Sequence, residues 1–163
     1  MQTVLLLHNI RSAHNVGSMF RTADAAGIEK IYLCGISPSP IDRFGRPHKE
    51  IAKVALGAEH AVPWETARST ASLIKKLKKG GFTVCAVEQH ARSISYNKVR
   101  FTKKELAQTA LMVGNEVEGL SPALLKYADT ILEIPMRGKK ESLNVGVAFG
   151  IVAFHLLHPH THA

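Results

Sequence analysis

Short, solidly apolar runs alternate with helix-patterned stretches along the whole chain, and this alternation leaves few folds open. The apolar runs are residues 4–7, 31–34, 82–87, 110–113 and 130–134. A strand with one wet face alternates polar and apolar side chains, whereas a run apolar throughout is covered on both faces. Helical patterning over 15–26, 49–55, 66–79, 103–108, 121–127 and 144–157 fills the intervals, with a brief extended piece near Val62. Strands separated by helices predict an α/β fold, a parallel sheet with helices on both faces. No repeat or linker divides the chain, and 163 residues correspond to one domain. Such a domain buries roughly 70% of the surface of its unfolded chain, so its core needs neither disulfides nor a metal.

Ligands of open α/β sheets bind beyond the carboxyl ends of the strands. Three loops leaving such ends, 8–15, 114–120 and 135–144, hold most of the Asn, Gly and Ser able to approach a ligand closely. In the first, Asn15 is placed to cap a helix that Gly27 ends. Val16, Met19, Phe20 and Ala23 form its apolar stripe. Arg21 lies off that stripe, one turn beyond Gly17, and helical side chains lean toward the N-terminus. Its guanidinium is therefore expected to reach back over Gly17 toward Asn15. Gathered at the positive end of a helix, the two groups suit a phosphate or a polarised hydroxyl. An ordinary capped helix with a solvated arginine accounts for the same residues.

The second loop, Gly114 to Ser121, follows an apolar run and opens a helix with Ser121 as cap and Pro122 at its first position. It is neither a dinucleotide fingerprint nor a P-loop, and a tight strand-to-helix turn is the plain alternative. The third loop feeds a helix that is apolar on nearly every side. Val145, Ala148, Phe149, Val152, Ala153 and Leu156 make one stripe, and Val147, Ile151 and Phe154 the other. Such a helix needs burial on two sides. A partner subunit is the economical second cover, with Gly146 and Gly150 allowing close approach; a central helix in a monomeric core is the alternative.

Twenty-one Lys and Arg against 13 Asp and Glu leave a formal charge of +8, which favours polyanionic partners. Solubility alone is the other explanation. Arg43, Arg46, His48 and Lys49 cluster near the ligand edge, where phosphate contact is expected. Lys75, Lys76, Lys78 and Lys79 equally suit a helix C-terminus. Aromatic residues are few, which argues against a base-stacking surface of the single-strand-binding kind. Cys34 and Cys85 lie in apolar runs without metal or disulfide spacing, so a reducing cytoplasm is expected. No signal peptide, membrane span or metal site is expected; four histidines, His155 to His162, cluster in a short C-terminal stretch.

Taken together, three ordered segments resemble the motifs of the SpoU (TrmH-like) branch of the SPOUT RNA 2′-O-ribose methyltransferases. They are Asn9, Asn15, Gly17 and Arg21; then Gly114, Asn115, Glu116, Gly119, Leu120 and Ser121; then Ile134, Pro135, Met136, Ser142, Leu143, Asn144 and Val145. Gly146 departs from the pattern, where the family usually has Ser, and an effect on helix packing is expected. The family's common N-terminal RNA-binding extension is expected to be lacking.

The resemblance implies a Rossmann-like sheet whose C-terminal segment is threaded into a deep trefoil knot, in a catalytic domain of 1–157 followed by a short His-containing tail, 158–163. It implies S-adenosyl-L-methionine as cofactor, bound by Val113, Gly114, Asn115, Ile134, Met136, Ser142, Leu143 and Asn144. It implies Arg21 and Asn15 as catalytic residues, with Ser142, Asn144 and Glu116 assisting. Arg11, Arg43, Arg46 and Lys49 would contact RNA, with tRNA favoured over rRNA because a bare domain offers little surface to a large target. The protein would be a homodimer in which the first motif of one subunit meets the cofactor of the other. A non-catalytic RNA-binding module on the same fold is the competing reading, and it has no need of Asn15, Arg21, Ser142 and Asn144 together.

Overall fold

In the computed structural model, which describes residues 1–158, the chain runs β1 (Gln2–His8), α1 (Ala13–Ala26), β2 (Lys30–Cys34), α2 (Lys49–Ala55), α3 (Ala58–Ala61), β3 (Trp64–Ala67) and α4 (Thr70–Lys79). It continues through β4 (Thr83–Val87), β5 (Ile94–Ser95), α5 (Lys103–Ala107), β6 (Gln108–Val113), α6 (Pro122–Leu125), β7 (Thr130–Glu133) and α7 (Val145–Leu157). The strands pair parallel in the order β3-β2-β1-β6-β4-β7-β5.

Alternate residues of each strand face opposite layers. Leu5, Leu7, Leu33, Leu111 and Val113 pack with Val16, Met19, Phe20 and Ala23 of α1, Ile51 and Ala55 of α2, and Phe149, Val152 and Leu156 of α7. Val4, Leu6, Ala110 and Met112 pack with Leu73, Ile74 and Leu77 of α4 and Leu124 and Leu125 of α6. The doubly covered parallel sheet is as the unalternating runs required.

The last strand does not extend the sheet at its edge. β7 enters between β4 and β5, which residues 88–93 already join. The segment after β7 lies against that connection, the Gln89 Nε2 amide donating to the Glu141 carbonyl at 2.7 Å.

Several boundaries differ from the sequence expectation. Helix α1 is capped by Ser12, not Asn15: Ser12 has extended backbone and its Oγ accepts from the Asn15 N–H at 3.2 Å. Asn15 thus falls within the first turn, and its side chain is free for other work. Gly27 ends the helix as expected, at φ 80°. Residues 64–67, partly assigned to a helix, instead form edge strand β3, where Glu65 pairs with Lys30 of β2 at 2.8 Å. The helix begins only after Ser69, whose Oγ accepts from the Ser72 N–H at 3.3 Å.

Three glycines serve contacts other than those expected. A Cβ on Gly17 would lie 2.7 Å from the Ile51 carbonyl oxygen, so α2 occupies that gap and Arg21 has no shelf there. Gly146 and Gly150 face α1 of the same subunit, where a Cβ would meet Met19 and Ser18 in the first case and Thr22 in the second. Close approach at these glycines is therefore intramolecular. A Cβ at position 146 would also lie 3.2 Å from Asn144 Oδ1, a tight fit. The other stripe of α7 is bare: Val147 is 51% and Phe154 43% exposed.

Candidate active site

The three loops meet at the carboxyl edge of the sheet. At the end of β1, Asn9 adopts φ 53° and its Oδ1 accepts from the Ile36 N–H at 3.1 Å. Its carbonyl accepts from Asn115 Nδ2 at 3.0 Å, and Asn115 Oδ1 accepts from the Val117 and Glu118 N–H groups at 2.8 and 3.0 Å. Asn115 thereby folds its own loop and ties it to the first one.

Glu116 completes the junction. Its carboxylate accepts from the Arg11 and Ser12 N–H groups, each at 3.0 Å, and from Asn15 Nδ2 at 2.9 Å. Asn15 Oδ1 in turn accepts from Asn144 Nδ2 at 3.1 Å, while Asn144 Oδ1 caps α7 through the Gly146 and Val147 N–H groups. A continuous chain, Glu116–Asn15–Asn144, therefore joins segments more than a hundred residues apart. Each carboxamide uses both ends, which determines its orientation.

Beside this chain lies a cavity of about 350 Å³ between the ends of β4, β6 and β7. That volume falls in the range of roughly 300–1,000 Å³ usual for small-molecule sites. Leu132, Ile134, Leu143, Val145 and Ala148 supply apolar wall, and the 114–119 loop supplies backbone. Gly114 is indispensable to this geometry: a Cβ there would lie 2.5 Å from the Gly119 carbonyl carbon. Glu88 braces the far side of the same turn, accepting from the Leu120 N–H at 2.8 Å.

The cavity's electrostatics oppose those of the whole chain. Glu88, Glu116, Glu118, Glu133 and Glu141 line it, five of the 13 acidic residues, and among the described residues no Lys, Arg or His does. An anionic wall in a protein of charge +8 favours a cationic occupant and disfavours a polyphosphate.

The match of this chain to known proteins is consistent along its length. Residues 2–154 match the model of the SpoU rRNA Methylase family. The chain belongs to the SpoU methylase family. It is 34% identical over 93% of its length to a 23S rRNA (guanosine-2'-O-)-methyltransferase of Ralstonia nicotianae, of which it covers 56%. It is 30% identical to the tRNA (guanosine(18)-2'-O)-methyltransferase of Aquifex aeolicus, of which it covers 66%. The chain thus spans between 56% and 66% of the length of these relatives. An AdoMet-bound rRNA methyltransferase from Sinorhizobium meliloti superposes with a TM-score of 0.83 at 31% identity, over 95% of this chain and 55% of that one. A structure described as giving insight into 2-OH methylation of C/U34 on tRNA has a TM-score of 0.76 at 27% identity, and 93% of it is covered.

In this SpoU family member, Gly114, Asn115, Glu116, Ile134, Met136, Ser142 and Leu143 line the cavity. Val113 is buried at the end of β6 and does not reach it. Asn15 and Asn144 stand beside the cavity rather than in its wall, and Arg21 is exposed on α1 outside it. Arg43, Arg46 and Lys49 are exposed on the loop after β2 and the start of α2, and Arg11 is exposed on the first loop. Sequence reading missed Glu88, Glu118, Glu133 and Glu141. Glu118 and Glu141 lie inside two of the candidate loops and Glu133 at the strand end before the third, which was the available signal, whereas Glu88 follows β4 outside all three. Burial pushes the Cys34 and Cys85 thiols up to about 11 and about 12, so neither is a reactive thiolate at neutral pH.

For Glu116, partial burial raises the carboxyl pKa, but hydrogen bonds from Arg11, Asn15 and Ser12 outweigh it and hold the group below its ordinary value. The stability it contributes is present above the ordinary carboxylate pKa and is lost as pH falls through the lowered one. Glu116→Ala is expected to destabilise by about 1 kcal/mol, the scale of a lost helix cap. Thermal unfolding of wild type and variant from about pH 3 to pH 7 checks this: the gap should close on the acid side, and a pH-independent gap contradicts it.

Proposed function

We propose that this chain transfers the methyl group of S-adenosyl-L-methionine to a ribose 2′-hydroxyl of RNA. The observation that carries this is the Glu116–Asn15–Asn144 chain, which brings the three family motifs together at one acid-lined cavity. The cofactor fits the lining: its sulfonium and ammonium are cations, its adenine suits the apolar wall, and no basic group is present to hold a nucleotide phosphate. Gly114, Asn115, Ile134, Met136, Ser142 and Leu143 would hold it, largely through backbone, with Asn144 beside the cavity capping α7.

When bound, the cofactor supplies a methyl group already activated on sulfur. The protein's task is the ribose hydroxyl, a very weak acid, which must be held in line and favoured as it loses its proton. An arginine is not deprotonated in proteins, so Arg21 acts as a cation stabilising the developing alkoxide, and an RNA phosphate helps to take up the proton that the hydroxyl loses. Asn15 orients the nucleotide, and Glu116, with its oxygens already engaged, positions Asn15. Arg11, Arg43, Arg46 and Lys49 meet RNA phosphates. The tRNA relative covered over 93% of its length supports tRNA over rRNA. The buried thiols support the cytoplasm, and no helix among the described residues is long and apolar enough to cross a membrane. The placing of β7 between β4 and β5 supports a threaded C-terminal segment.

Calorimetry with S-adenosylhomocysteine, ATP and NAD tests the cofactor, and nuclease mapping of RNA after incubation with methyl-labelled cofactor tests the reaction. Binding of S-adenosylhomocysteine alone, with label on ribose, is the expected result. Binding without transfer to any RNA supports the non-catalytic module instead, and preferential binding of ATP or NAD overturns both.

We further infer a homodimer through the bare stripe of α7, where Val147, Ile151 and Phe154 follow one another at i, i+4 and i+7. Arg21, exposed and outside its own cavity, is then available to the site of the other subunit. Phe154→Glu is expected to halve the mass measured by light scattering. An unchanged dimer places the interface elsewhere.

A further inference from the structure

The loop after β2 ends in an exposed aromatic ring. Phe44 is 65% exposed, with Ile36 at 67% and Ile41 at 40% beside it in sequence. The Phe44 ring is therefore open to contact by a partner. The Arg43 and Arg46 guanidinium carbons lie 4.7 and 5.0 Å from the ring centroid. The tip is also built rather than slack. Asp42 Oδ1 accepts from the Phe44 and Arg46 N–H groups at 2.8 and 3.0 Å, and Asp42 Oδ2 accepts from Arg46 Nε at 2.8 Å. A bridge between Ile41 and Pro47 closes its base, and Gly45 turns at φ 76°. Asp42 is thus spent on holding Phe44 outward, and Arg43, Arg46 and Lys49 leave the tip basic.

We propose that Phe44 is a stacking platform for an unpaired base of the RNA substrate. This rests on the RNA-directed reading above and adds the single-stranded character of what is recognised. Bases outside a duplex stack on aromatic rings and guanidinium planes, whereas a paired base offers no free face. The flanking arginines add phosphate attraction and a second stacking plane. Strand β2 is two positions from β6 and four from β7. At about 4.8 Å per strand the end of β2, from which this loop departs, stands roughly 10 to 20 Å from the cavity along the sheet edge. The stacked base therefore belongs to a nucleotide near the methylated ribose, not to the methylated one. The scarcity of aromatic residues, which argues against a base-stacking surface of the single-strand-binding kind, is no obstacle to a platform of one ring.

The test uses fluorescence anisotropy on the full chain with two labelled RNAs, a hairpin with an unpaired loop and a duplex of the same stem. Wild type should prefer the hairpin. Phe44→Ala should weaken hairpin binding about tenfold, leave duplex binding unchanged, and keep the slope of log affinity against log salt; Phe44→Trp should restore hairpin binding. Arg43→Ala should weaken both RNAs and make that slope shallower by about one. Equal affinity of wild type for hairpin and duplex overturns the proposal, as does a Phe44→Ala loss that is absent or equal on both RNAs. S-adenosylhomocysteine calorimetry on the same samples separates this from failure of the methyltransferase reading: intact cofactor binding with no hairpin preference removes the platform alone.

Discussion

Arg21→Ala is expected to bind S-adenosylhomocysteine as wild type does and to methylate RNA about a hundredfold more slowly, the scale of removing one group that stabilises a developing oxyanion. The expectation comes from location as much as from chemistry. Arg21 is exposed on α1 and does not line the cavity of its own subunit, so its loss leaves the wall of that cavity unchanged. It also makes none of the hydrogen bonds of the Glu116–Asn15–Asn144 chain, so its loss leaves the junction of the three loops intact. Single-turnover rates with saturating RNA, paired with calorimetry, read the two effects separately. A variant with near-normal turnover removes Arg21 from the chemistry; one that loses cofactor affinity in proportion to rate makes it a structural residue.

Gly114→Ala is expected to have the opposite signature, losing cofactor before chemistry. The turn at Gly119 and Leu120 is confined on two sides. A methyl on Gly114 would press on the Gly119 carbonyl from one side, and Glu88, bonded to the Leu120 N–H, stands on the other. Relief would require moving backbone that walls the cavity. Overpacking of this kind destabilises by about 1–3 kcal/mol, which for a domain of this size lowers Tm by roughly 2–4 °C per kcal/mol. Affinity for S-adenosylhomocysteine should fall at least about tenfold, equivalent to roughly 1.4 kcal/mol of distorted wall. Unchanged affinity would show that the 114–119 turn does not hold the cofactor. Glu88→Gln is the informative companion, since it keeps the shape of the brace while removing one of the five negative charges.

Much of the fold was legible because strand burial writes itself into local sequence. Runs such as Val4 to Leu7 and Ala110 to Val113 are apolar on both faces, which only a covered parallel sheet accommodates. The helix ends at Gly27 and Ser121 were legible for the same reason, since a left-handed residue and a side-chain cap are local requirements. Short edge strands carry no such mark. β3, half-exposed as Trp-Glu-Thr-Ala, and β5, two residues long, take their state from the neighbours they pair with. Asn15 was a reasonable cap by type, but Ser12, three residues earlier, makes the first turn and releases Asn15 to the site.

The sequence by itself determined the layers, the three polar loops at the carboxyl edge of the sheet and the family, because periodicity and ordered motifs are properties of neighbours along the chain. Only the tertiary structure decided which polar groups meet: that Asn15 bonds Glu116 and Asn144, that Gly17, Gly146 and Gly150 serve helix contacts, and that five glutamates converge on one cavity. Hydrogen bonds and electrostatic fields depend on distance in space, and chain separations such as the 129 residues between Asn15 and Asn144 carry no record of it until the sheet has brought its strand ends together.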